Sequence, residues 1–418
     1  MDAAAIRYSR RVGAGRNSSG FYFALCAVAA KLAMDFFIPY RDANFLAFNL
    51  LLVLLFLAFR PRIYLGRGGR MMFGIVMLIL LAQVARAPDN PISFKLATLP
   101  CVAVLFYSIG RSLTESAVKK LFSVLLVLFV LAFLGNYALS VASGLLFSRE
   151  FWNFEHPNLL GSYILVVALP AHYLILRESR VRGWAIGSVI VIAAFLSTST
   201  GALLLSIGIF IRLRGLRARH VVTSVLIGLV LVGVGIAMLS LFNPVTYEKI
   251  VGPFRLVGDG SWSRLVAEAR SGGGITWLAS GQQGSFTWRI YAYLVYLFYV
   301  LQQGSMALLF GNGVSGYTAV WNGAMPHNDF ILLLVDFGLL VLVLCLVCLL
   351  VLARKVWRGN PEWFVMLAVV VLRLMYENNI YSYYLASAGC LFISLIVGVQ
   401  ARAKRSFKPA APSPADAA

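Results

Sequence analysis

From Phe330 to Ala353 the chain carries a single charged residue, Asp336. About twenty apolar residues in a helix span the hydrocarbon core of a bilayer, so this run alone is long enough to cross one. It is not alone. Comparable runs fall at 21–39, 43–59, 71–86, 92–109, 121–143, 158–176, 183–198, 199–213, 221–241, 328–353, 362–376 and 380–400. Of the 418 residues, 60% are hydrophobic and 12% charged, where a soluble domain carries about a quarter charged. No aqueous fold of this size hides so much apolar surface. The expected fold is an all-α polytopic membrane protein with about twelve transmembrane helices.

The basic residues alternate with this parsing. One set of connections holds Arg60, Arg62, Arg67 and Arg70, then Arg111, Lys119 and Lys120, then Arg177, Arg180 and Arg182, then Arg212, Arg214, Arg217 and Arg219, and finally Arg354, Lys355 and Arg358. The N-terminal Arg7, Arg10, Arg11 and Arg16 belong with them, as do Arg402, Lys404, Arg405 and Lys408. The intervening connections hold few basic residues. Cytoplasmic loops collect Lys and Arg, so both termini are expected in the cytoplasm. The net charge of +20 is then a property of those loops beside an anionic leaflet, and nucleic acid is not an expected partner. Five cysteines and four histidines, with Cys345 and Cys348 inside Leu/Val helix sequence, offer no metal-ligand spacing. The first apolar run has no small-residue cleavage site and is followed at once by another, so it reads as a span and not a cleaved signal.

The organisation expected is a cytoplasmic segment at 1–20, nine spans over 21–241, a large non-cytoplasmic loop at 242–326, three spans over 327–400, and a disordered Pro/Ala-rich cytoplasmic tail at 401–418. Long loops are uncommon unless functional. This one contains Gly/Ser-rich stretches and an amphipathic segment at 286–303, suited to lying along a membrane surface. A Gly-rich phosphate cradle is absent from the basic connections, which disfavours an ATP-driven pump.

Polar residues at or inside a membrane are functional candidates by default. Pro326-His327-Asn328-Asp329 opens the tenth span. Asn328 or Asp329 suits a helix cap, but capping does not require His327. Asp336 lies nine residues further on, about 13 Å along a helix. Direct contact with His327 is not expected, and a packing role fits better. Arg289 at the start of the loop helix is either a headgroup-snorkelling side chain or a bidentate phosphate ligand. Arg264 is a further cation of that loop. His156-Pro157-Asn158 is either a helix-entrance turn or part of a site. Arg373 and Glu377 are spaced to pair or to face an outer cavity, whereas Lys31 and Asp35 read as a structural pair within the first span.

Taken together, these motifs resemble a known family. His327-Asn328-Asp329, the apolar run to Asp336 and then Gly338 resemble the hallmark of the O-antigen ligase and O-antigen polymerase superfamily. Ser285-Phe286-Thr287-Trp288-Arg289 is similar to that family's Ser-x-x-x-Arg segment, and Gly311-Asn312-Gly313 to the turn that follows it. One departure stands out. Where many members carry a second Arg after the seventh span, this chain reads Ser199-Thr200-Gly201; Arg264 or Arg373 would have to replace it, or the substrate differs.

The resemblance implies a membrane glycosyltransferase of the bacterial inner membrane, acting on the periplasmic side without metal or cofactor. Its donor would be a glycan on undecaprenyl pyrophosphate. Its acceptor would be another glycan or lipid A core, with membrane lipids and polysaccharide-assembly proteins as further partners. His327 and Arg289 would be catalytic, with Asn328, Arg264, His156, Asn158, Arg373 and Glu377 binding substrate and Asp336 and Gly338 structural near the site. His156-Pro157-Asn158-Leu159-Leu160-Gly161 is similar to a segment frequent in exopolysaccharide polymerases, which favours a polymerase over an O-antigen ligase. Two other classes stay open: a flippase for lipid-linked sugars, which predicts repeated halves and a polar track, and a structural subunit of a secretion complex.

Overall fold

The computed structural model describes residues 3–38, 40–87, 89–145, 153–154, 157–176, 179–197, 199–213, 261–271, 285–320, 324–359, 361–375 and 379–406. The expected ninth span at 221–241, much of the 242–326 loop, His156, Glu377 and the last residues of the tail lie outside them. Regular structure among the described residues is helical throughout. In chain order the α-helices are α1 (Ala3–Phe37), α2 (Arg41–Phe59), α3 (Arg67–Arg86), α4 (Pro91–Ser112), α5 (Glu115–Ala142), α6 (Pro157–Ile175), α7 (Arg180–Leu196) and α8 (Thr200–Leu213). There follow α9 (Ser261–Ser271), α10 (Ser285–Gln302), α11 (Ser305–Phe310), α12 (Asp329–Gly359), α13 (Pro361–Leu374) and α14 (Tyr383–Ser406). Eight helices among the described residues are long and apolar enough to cross a membrane, from Ser19–Phe37 in α1 to Tyr383–Arg402 in α14. This is the architecture of a polytopic helical membrane protein.

The chain divides into two units: residues 1–213 with 379–418, and residues 214–378. In the first, local chemistry sets the helix ends. The Asn90 side chain accepts from the Ile92 amide at 3.0 Å with Pro91 at the first helical position, and Thr114 accepts from Ala117 at 3.2 Å; each satisfies an amide the helix leaves open. Helices α4 and α14 cross with their backbones in close approach. A methyl group on Gly110 would stand 2.2 Å from the Leu395 carbonyl oxygen, and one on Gly398 2.2 Å from that of Tyr107. Only hydrogen fits at either position. Small residues let backbones approach in lipid, where van der Waals packing replaces the hydrophobic effect between helices.

An aromatic core joins α1, α5 and α6. Phe36 makes edge contacts with Phe129, Phe154 and Tyr163 at centroid distances of 6.0, 5.2 and 5.5 Å. Beside it a polar cluster is wholly buried. Lys31 pairs with Asp35. The same carboxylate accepts from Asn44 at 3.1 Å and from the Tyr163 hydroxyl at 2.7 Å. The Lys31 ammonium also lies over the rings of Phe48 and Tyr383, at 5.0 and 5.7 Å. Asn153 closes the end of α1 by donating to the carbonyls of Asp35 and Ile38, at 3.0 and 2.7 Å. Two opposite charges away from water persist only with hydrogen bonds on their remaining positions, and these side chains supply them.

In the second unit, α9 packs on α10, α10 and α13 pack on α12, and α11 lies against α12. The apolar run that suggested one straight span is broken: Gly338 takes φ 79°, ψ 176° inside α12. That break leaves the Val335 and Asp336 carbonyls without helical partners, and the Gly311-Asn312-Gly313 turn supplies them. Asn312 N donates to Val335 O at 2.9 Å and Gly313 N to Asp336 O at 2.8 Å.

Candidate functional site

The site in the second unit is built on α10 and the entrance to α12. Asn328 begins α12, and its side-chain oxygen accepts from the amides of Phe330 and Ile331 at 2.9 and 3.1 Å. This is a helix cap, so that oxygen is already engaged. The cap fixes the residue before it. His327 has a left-handed backbone, φ 51°, a conformation that costs energy in a residue with a Cβ and tends to persist where the surroundings impose it. Its imidazole is half-buried and meets the Trp288 ring edge-on at 4.9 Å.

Helix α10 supplies that Trp and, next to it, Arg289, which is also half-buried. One turn further on the same face is Tyr293. Its hydroxyl lies 3.1 Å from the His327 carbonyl oxygen and 2.8 Å from that of Met375, and donates to them. A single side chain thus ties the loop helix to the strained residue and to the end of α13. The last turn of α13 carries Arg373, which is 7% exposed. Cationic side chains are favoured at helix C-termini. The elements bearing Arg289, His327 and Arg373 are therefore held together through Trp288 and Tyr293. Sequence reasoning missed both aromatic residues. The signals that could have found them are adjacency to Arg289 for Trp288 and the i, i+4 spacing for Tyr293.

Asp336 is fully buried and points elsewhere. Its two carboxylate oxygens accept from the amides of Ser315 at 3.0 Å and Tyr317 at 2.9 Å. It holds the short 3-10 turn Gly316–Ala319 that follows the Gly-Asn-Gly turn. Burial, with the Asp336 charge added, pushes the Tyr317 phenol above its ordinary value, so the ring stays neutral there. Gly338 gives the backbone break described above. Arg264 sits exposed on α9 and pairs with Glu268 one turn away at 3.1 Å; the adjoining Leu265 and Ala269 are buried.

Asn158 belongs to the first unit. Its side-chain oxygen accepts from the Ser199 hydroxyl at 3.2 Å, and a methyl group on Gly161 would lie 2.6 Å from the Ser199 Cβ. The Asn158–Gly161 segment and the turn before α8 are therefore in close contact, although 41 residues separate the bonded pair. Among the described residues, no three His, Cys, Asp or Glu side chains gather in a metal-binding group.

No family model matches the chain, and no curated protein does.

Proposed function

We propose that this protein is a membrane glycosyltransferase that polymerises lipid-linked polysaccharide repeat units. In this reading the chain has twelve spans with both termini in the cytoplasm, lies in a bacterial inner membrane, and presents the 242–326 loop to the periplasm. The donor is a glycan on undecaprenyl pyrophosphate. An acceptor sugar hydroxyl attacks the anomeric carbon, the bond from that carbon to the phosphate oxygen breaks, and the lipid pyrophosphate departs with the bonding electrons. Positive charge aimed at a departing oxyanion lowers such a barrier, and Arg289 is the residue assigned that role. His327 takes the proton from the acceptor hydroxyl. Within the second unit, Asn328, Arg264 and Arg373 are the residues assigned to substrate binding.

What supports this function is the contact of the Trp288 and His327 rings at 4.9 Å. It brings the residue beside the candidate phosphate ligand to the candidate base, from the two ends of a connection that contains α11 and the 3-10 turn. A His with a left-handed backbone at a helix entrance, packed against the Trp that precedes an Arg of a loop helix, is costly for a purely structural joint and useful for a reaction that needs a base and a cation in one region.

The test replaces Arg289 and His327 by Ala separately, in cells whose only copy is the variant, with membrane levels checked. Loss of surface polysaccharide with single lipid-linked repeat units accumulating on the outer leaflet supports the polymerase. Accumulation of finished lipid-linked chains converts the assignment to an O-antigen ligase. Accumulation on the inner leaflet identifies a flippase, and unchanged polysaccharide from both variants removes the site.

A further inference from the structure

A second polar feature lies in the first unit and has no part in the reaction above. Where α1, α2, α4 and α14 come together, a cavity of about 450 Å³ is lined by Arg60, Arg62, Arg111 and Arg402, with Tyr64 and Ser112 in its wall. No carboxylate among the described residues lines it. Among the described residues none of the four guanidinium groups is paired with an acidic side chain. Four like charges around one cavity repel each other, and the repulsion is relieved by water, salt or a bound anion.

The surroundings are built. The Arg111 guanidinium lies over two aromatic rings, 5.4 Å from the Tyr64 ring centre and 5.9 Å from that of Tyr107. The Tyr64 amide donates to Ser108 Oγ at 2.9 Å, fixing the connection that follows α2. Arg402 Nη1 donates to the Ser112 and Leu113 carbonyls at 2.8 and 2.6 Å, closing the end of α4 while leaving the other guanidinium nitrogens free of that bond. Arg60 adopts φ 44° with its amide on Phe56 O at 2.8 Å, which turns the chain sharply so that Arg62 stands at the exposed mouth. Gly20 packs closely beneath: a methyl group there would stand 2.9 Å from Ser112 Oγ. Arginines that merely balance an anionic leaflet need neither a cavity nor aromatic clamps.

We propose that this cavity binds a phosphate or diphosphate group. The planar guanidinium fork matches phosphate oxygens bidentately, and the cavity lies within the size range of small-ligand sites. The group comes either from an anionic lipid headgroup or from a soluble phosphorylated molecule.

Two arms separate the sources. In one, full-length protein purified in detergent and stripped of lipid is titrated with inorganic pyrophosphate by calorimetry. In the other, protein exposed to phosphatidylglycerol in a phosphatidylcholine background is weighed by native mass spectrometry to count retained anionic lipid. Arg62→Gln and Arg111→Gln are each expected to weaken binding in the relevant arm roughly tenfold, the usual loss of one charge-assisted hydrogen-bonding group. Arg62→Lys, which keeps the charge and loses the fork, is expected to fall between. Lys120→Gln, exposed and outside the cavity, is expected to leave binding unchanged. Arg62 is exposed, so its variants stay interpretable if Arg111→Gln fails to fold. Binding confined to the pyrophosphate arm assigns a soluble ligand, and binding confined to the lipid arm assigns a headgroup. Absence of binding in both arms, or an equal loss from Lys120→Gln, overturns the proposal.

Discussion

Gly311 and Gly338 meet backbone to backbone. A methyl group on Gly338 would stand 2.4 Å from Leu309 O and 2.5 Å from Gly311 N, and one on Gly311 2.4 Å from Asp336 O. Both have positive φ, 72° and 79°. The break in α12 and the turn that caps it are therefore one device, and each glycine is needed twice, for its dihedral and for its lack of a Cβ. Gly338→Ala is expected to destabilise the protein by about 2–4 kcal/mol, combining backbone strain with overpacking. Thermal unfolding in detergent measures it. A wild-type melting curve would show that the contact relaxes freely.

At the crossing of α4 and α14, Gly110→Ala and Gly398→Ala are each expected to cost about 1–3 kcal/mol, the range for overpacking a close contact. Because both additions press on one crossing, the double variant is expected to lose less than the sum. Strict additivity would mean that the two glycines act at independent contacts.

Lys31→Met removes the cation paired with Asp35 and leaves that carboxylate buried. A loss of about 3–5 kcal/mol is expected, as for other buried pairs broken on one side. Lys31→Met combined with Asp35→Leu is expected to regain much of it, since neither charge then remains. Stability in a detergent melting series, followed for both variants, distinguishes this from a pair that contributes through packing alone.

Tyr293→Phe deletes the hydroxyl that reaches the carbonyls of His327 and Met375. If α10 positions His327, glycan transfer is expected to fall roughly tenfold with normal membrane abundance, because small misplacements of a reacting group are costly. His327→Asn is the companion variant. Asn tolerates left-handed φ better than Ala does, so a loss of transfer shared by His327→Asn and His327→Ala tracks the imidazole and not the backbone. Full activity from His327→Asn would dismiss the proton-transfer role.

Much of the helical layout is legible in the hydropathy of the chain. The loop helix expected at 286–303 is α10 (Ser285–Gln302), and the last span expected at 380–400 is α14 (Tyr383–Ser406). The break at Gly338 is not legible as a break, because the Leu and Val on either side fit a straight helix equally well and only its positive φ betrays it. The work of Asp336 is hidden for a different reason. Its partners are backbone amides of Ser315 and Tyr317, and amides carry no sequence signature.

The sequence by itself determined that the chain is helical and lives in lipid, because partition between water and hydrocarbon depends on composition summed over each run. It also marked which polar residues were out of place there. Only the tertiary structure decided which of them meet. Tyr163 reaches Asp35 across 128 residues of sequence, Trp288 finds His327, and four arginines from three separate stretches close on one cavity. Such meetings depend on how each helix is rotated and how closely two helices cross, and those are set by packing at a few glycines and caps, not by the hydropathy of the runs.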